Sequence, residues 1–266
     1  MRRAITGLAV LGVIGHGAPA FADPDTTPPA LVTTLSAVAF GSLAYTLSDL
    51  PPGSGPKGLH SIVTTGSTTA PDHFISGASG MLLLNTTFSS LDAWGEDMAG
   101  NMSAHSVVIN ATPVNAGFEQ GVDSNGHAIA WNTGFPTLVD CGPDGKAAEL
   151  SGLNYGPGTY IDAASRSFLS LPLSSSAQLV VSVAARADAA LACGGCLADI
   201  EVNAYQSDGR TMVAGYAFDV RGSATQMKVI AFQRAIPSTA RQIGIRLRVR
   251  GPGTVDFDDL RVWVMN

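Results

Sequence analysis

Three groups of residues in this chain combine reactive side chains with spacings that can bring them together. The first is Cys193-Gly-Gly-Cys196, the spacing of a redox dithiol or of half a zinc site. A redox dithiol needs a helix N-terminus to lower a thiol pKa, and no helical pattern follows Cys196. Zinc needs four ligands, yet there is no second Cys pair, and His60, His73, His105 and His127 are scattered. This leaves a loop-stapling disulfide, either Cys193 to Cys196 or Cys141 to one of them, and sequence does not choose the pairing. The second group is Asp256, Asp258 and Asp259, since two carboxylates can divide the work of glycoside hydrolysis. Their place in a closing strand argues for a structural role instead. There is no Gly-x-Ser-x-Gly elbow and no His-Glu-x-x-His. The expectation is a protein that is not an enzyme, with a cryptic glycoside hydrolase as the remotest alternative.

The third group can hold a ligand without transforming it. Ile200, Val202 and Ala204 alternate with Glu201, Asn203 and Tyr205, so the last three share the polar face of a strand. In the closing strand, if Leu260, Val262 and Val264 face the core, Arg261 and Trp263 face outward. Trp263 is then the leading stacking candidate. Arg246, Arg248 and Arg250 form a further outward row, and Tyr155 sits in a Gly/Pro-rich loop. The expected ligand-binding residues are Tyr205, Trp263, Asn203, Arg261 and Tyr155.

Strands must carry these residues, because period-two alternation recurs along the chain and charged residues make up only 14% of it. Short apolar runs between Leu31 and Ile109 are separated by turn clusters such as Pro51-Pro52-Gly53 and Asp97 to Asn101. After Pro113 the texture changes and a longer unit runs to the C-terminus. Ahead of both, Arg2 and Arg3, an apolar run and Ala20-Phe21-Ala22 have the order of a secretory signal peptide. The expected organisation is residues 1–22 as signal peptide, 23–113 as a first domain and 114–266 as a second. Removing the leader takes the formal charge from −6 to −8, which favours neither nucleic acid nor an anionic membrane. No stretch is long enough to insert in a bilayer. The protein is expected to be secreted or extracytoplasmic; sequence leaves its oligomeric state open.

Two resemblances give these units a fold. Asp25-Thr26-Thr27-Pro28-Pro29 and Ala93-Trp94-Gly95-Glu96-Asp97-Met98-Ala99-Gly100-Asn101 resemble the opening and the closing hairpin of bacterial immunoglobulin-like domains, which commonly serve as spacers. The second unit resembles jelly-roll carbohydrate-binding modules of the galactose-binding-like superfamily, of the cellulose- and xylan-binding kind. That resemblance rests on Asn115-x-x-Phe118-Glu119, on Trp131, on residues 145–152 and on residues 255–262. Together they imply an all-β chain, an immunoglobulin-like sandwich followed by a jelly-roll sandwich. They also imply a buried Trp131 and a structural calcium ion held by Glu119 and Asp259 with Asp258 adjacent, within reach of the six to eight oxygens calcium takes. The implied partner is a polysaccharide or surface glycan, and the alternative is a structural or adhesive surface protein that binds another protein.

Overall fold

The computed structural model describes residues 25–36, 41–51, 53–84, 87–131, 137–140, 145–153, 161–169, 172–221 and 226–266. The expected leader, Tyr155 and Cys141 lie outside the described residues. The described chain is all-β; its one helical element is a 3-10 turn at Ala189–Ala192. The first unit holds β1 (Ala30–Ser36), β2 (Ser42–Ser48), β3 (Pro56–Thr65), β4 (Thr68–Thr69), β5 (His73–Ser76), β6 (Ser79–Leu83), β7 (Ser90–Asp97) and β8 (Ser106–Asn110). The second holds β9 (Thr137–Val139), β10 (Ala147–Ser151), β11 (Ile161–Phe168), β12 (Gln178–Ala187), β13 (Leu197–Tyr205), β14 (Met212–Asp219), β15 (Lys228–Ala235), β16 (Gln242–Arg250) and β17 (Thr254–Met265).

Each unit is a sandwich, as period-two sequences with one apolar face require. In the first, β1, β2 and β6 form one sheet and β3, β7 and β8 lie in the other. Leu43, Tyr45 and Leu47 of β2 meet Leu59 of β3 and Leu91 and Ala93 of β7 between them. In the second, β11, β16, β13 and β14 form one antiparallel sheet, while β12, β15, β17 and β10 lie in the other. Alternate residues such as Ile200, Val202, Ile245 and Leu247 fill the space between, with Phe257 and Leu260 from the opposite sheet. Trp131 is buried there against Phe118, their rings 5.2 Å apart.

The two sandwiches share a sheet. The C-terminal half of β17 pairs with β8, Trp263 opposite Asn110 and Val264 opposite Ile109. Here the expected outward position of Trp263 is corrected. Leu260, Val262 and Val264 do face the core of the second unit, and Trp263 does point the other way. That other face is covered by the first unit, and Trp263 is 1% exposed among Phe88, Leu91 and Val108. Arg261 is also held back from solvent, 9% exposed and bonded through Nε and Nη2 to the Asp259 carboxylate. Its neighbour Asp259 sits at φ 44°, where the pairing of β12 with β17 slips by one residue.

Candidate functional site: a groove across the four-stranded sheet

The outer face of the sheet β11-β16-β13-β14 is laid out by strand register. Four rows run across it: Phe168, Gln242, Tyr205 and Met212; Arg166, Gly244, Asn203 and Gly215; Ala164, Arg246, Glu201 and Ala217; Asp162, Arg248, Asp199 and Asp219. Neighbours in a row stand side by side on one face, so their sizes set the relief of the surface. Asn203 has a glycine on each side. A Cβ on Gly215 would stand 2.8 Å from Asn203 Oδ1, and one on Gly244 would stand 2.9 Å from Tyr205 Cε2. The two glycines therefore let Asn203 and Tyr205 lie down across neighbouring strands, the close approach for which mid-strand glycine is suited. Two hollows result, of about 520 and 480 Å³, and Asn203, Tyr205 and Arg246 border both.

The polar groups around these hollows differ in how far they are committed. Arg248 is locked by Asp199 at 2.8 and 2.7 Å and by Glu201 at 3.0 Å. Arg166 donates to the Gly209 carbonyl and lies over the Tyr205 ring, 4.6 Å from its centroid. Arg246 is different. Its nearest carboxylates, Asp162 and Glu201, are 3.5 and 3.6 Å away, beyond good hydrogen-bond length, and its side chain is 44% exposed. The Asn203 amide has no hydrogen-bond partner among the described residues. Arg246 and Arg248 thus face Asp162, Asp199 and Glu201, while Arg166 is turned to Gly209 and Tyr205.

Of the residues expected to bind ligand, the structure brings Tyr205 and Asn203 together and places Trp263 and Arg261 elsewhere. Each residue expected to hold calcium has a partner within the protein. Glu119 Oε1 accepts the Lys146 amide at 2.6 Å, Asp258 Oδ1 accepts the Asp259 amide at 2.7 Å, and Asp259 is paired with Arg261. Among the described residues the acidic group whose oxygens lie within 4.8 Å of one another is Asp25, Asp49 and Asp97. Those carboxylates accept turn amides, from Ser54, Gly55 and Asn101 respectively, and the Asn101 side chain reaches the Asp25 carbonyl. The two sequence motifs of the first unit thereby meet. Cys193 and Cys196 form a disulfide at the end of the 3-10 turn. Sequence reading missed Gly215, Gly244 and Arg166 at the groove; a glycine inside an alternating strand was the available signal for the first two.

No protein-family model matches this chain, and no curated protein matches it. Solved structures similar to it include the enzymatically active domain of tailspike protein 4 from bacteriophage CBA120, at 12% identity and TM-score 0.44 over 57% of this chain. An arabinose-bound α-L-arabinofuranosidase is similar over 58% of the chain, at 12% identity and TM-score 0.40. A family 16 carbohydrate-binding module is similar over 57%, at 14% identity and TM-score 0.38, with 98% of that module covered. The chain spans 21% of the tailspike domain and 26% of the arabinofuranosidase. All three likenesses are too loose to transfer a function. Among the described residues no helix is long and apolar enough to cross a membrane.

Proposed function

We propose that this protein binds carbohydrate, without transforming it, in the groove across β11, β16, β13 and β14. The observation that carries the reading is the composition of that groove: a floor opened by Gly244 and Gly215, the Tyr205 ring at its flank with Arg166 over it, and polar groups of both kinds in Asn203, Arg246 and Glu201. A sugar ring has an apolar C–H surface, suited to an aromatic flank, and a rim of hydroxyls that donate and accept at once. Asn offers both roles, Arg donates and a carboxylate accepts, so the three match vicinal hydroxyls. A nucleic acid or a strongly anionic polymer would need a net positive surface, which the paired carboxylates deny.

Non-catalytic action is supported by the state of the acids. Asp256 and Asp258 are 2% and 0% exposed, and Asp256 is tied to Arg186 at 2.7 Å. In the groove, Glu201 and Asp199 are engaged by Arg248. We further propose export by the leader, an extracytoplasmic site of action and a polysaccharide partner. In this reading the immunoglobulin-like first unit holds the groove-bearing sandwich in fixed orientation, because β8 and β17 pair. Retention on immobilised polysaccharides, with Tyr205→Ala as the control, tests the groove.

A further inference from the structure

Phe168 is 74% exposed at the end of β11, in the same row as Tyr205. Burial does not account for a large aromatic ring left in water. Beyond it lies a further concavity of about 660 Å³, between the two units. The first unit contributes Ser89 and Asn110 to it, the connecting segment Thr112 and Asn115, and the second unit Gln120 and Phe168 itself. The Gln120 side chain is exposed and has no partner among the described residues. The one carboxylate in the lining, Asp259, is already paired with Arg261. Asn110, Thr112 and Asn115 donate to the Phe88, Val262 and Ile129 carbonyls, which leaves the Gln120 amide and the Ser89 hydroxyl proton to meet a ligand, with an aromatic ring at one lip. The walls are fixed relative to each other by the pairing of Trp263 with Asn110 and of Val264 with Ile109. Clefts at such junctions are common ligand sites when they are already formed.

We propose that a glycan chain lying in the groove continues over Phe168 into this interdomain cleft, so that the first unit forms part of the binding site. The inference rests on the groove reading above and extends it to ligand length. Four strands about 4.8 Å apart give the groove a span of about 14 Å, or about three sugar units. Longer chains must therefore pass the β11 edge, where Arg166 and Phe168 stand two residues apart on one face. Phe168 supplies a stacking surface at the crossing, and Gln120 and Ser89 face the hydroxyls beyond it. The ligand class is a neutral oligosaccharide of more than three units, because the cleft lining contains no cationic side chain among its described residues.

The test is calorimetric titration with xylo-oligosaccharides and cello-oligosaccharides of about two to six units. The unaltered protein should gain affinity beyond the trisaccharide. Phe168→Ala and Gln120→Ala, both at exposed positions, should each remove about fivefold or more of the hexasaccharide affinity and leave the disaccharide unchanged. Val114→Trp, which fills the cleft from another exposed position, should do the same. Affinity that stops rising at the trisaccharide, unmoved by all three variants but lost in Tyr205→Ala, would overturn the extension and leave the groove standing. No binding of any oligosaccharide by the unaltered protein would overturn both.

Discussion

The Trp263 indole lies against Gly41 so closely that a Cβ there would stand 2.0 Å from its Cη2 atom. Gly41 is at φ +67°, so a side chain at that position is resisted by backbone and by indole alike. The contact joins the closing strand of one sandwich to the core of the other. Trp263→Ala should cost about 3–5 kcal/mol and lower the melting temperature by about 10 °C. Gly41→Ala should destabilise in the same direction. Thermal denaturation checks both, and an unchanged melting temperature for Trp263→Ala would contradict the buried joint.

The groove floor makes a steric prediction. Gly215 has ordinary strand geometry, so Gly215→Val suits β14, yet its side chain would displace Asn203 and raise the floor. Glycan retention should fall about tenfold or more while the melting temperature holds. Gly244→Val should act likewise through Tyr205, and affinity electrophoresis beside a melting curve separates the two effects.

A pH dependence is expected from the outer face of the first unit. His60 Nδ1 lies 2.7 Å from Asp72 and Nε2 lies 3.1 Å from Glu96, and the ring stacks on Trp94. Both carboxylates are served at once only if both ring nitrogens carry protons. Burial opposes that charge, but the hydrogen bonds and charges of Asp72 and Glu96 outweigh it and hold the pKa above the ordinary 6.5. A raised pKa in the folded state stabilises the fold below pH 6.5, and that contribution is lost as pH rises through the folded value. Imidazole NMR should show His60 titrating above 6.5 and falling towards it in Asp72→Asn. Chemical denaturation should show His60→Gln losing stability at pH 6 and little above the folded pKa.

Glu149 is shifted the same way, but for a carboxyl the shift is a cost. It stands directly across from Asp256 in the pairing of β10 with β17. Burial, then the Asp256 charge, push its pKa up, and Arg186 offsets them in part. An acid with a raised folded pKa costs stability once pH passes its ordinary value near 4.5. Glu149→Gln should therefore raise the melting temperature at pH 7 and change it little at pH 3.5.

Much of this fold is legible in the sequence, because period two is a local property. Glu201, Asn203 and Tyr205 share a face for the reason that Ile200, Val202 and Ala204 share the other. What a face meets is not local. Alternation turns Trp263 away from its own core correctly, but only the pairing of β8 with β17 reveals that this side is a second core. Asp259 shows the same limit: a one-residue slip in the pairing of β12 with β17 sets its carboxylate against Arg261, and strand slips leave no mark in a hydrophobic pattern. The groove needed register, since Gly215 and Gly244 are ordinary strand glycines until both are seen to flank Asn203.

Carbohydrate binding in the groove can be read from retention on a panel of xylan, cellulose and mixed-linkage β-glucan. The unaltered protein and Tyr205→Ala should be run side by side. Retention of the unaltered protein on at least one polysaccharide, abolished in Tyr205→Ala with the melting temperature unchanged, is the predicted result. Passage of the unaltered protein through every matrix, or equal retention of the variant, would contradict it.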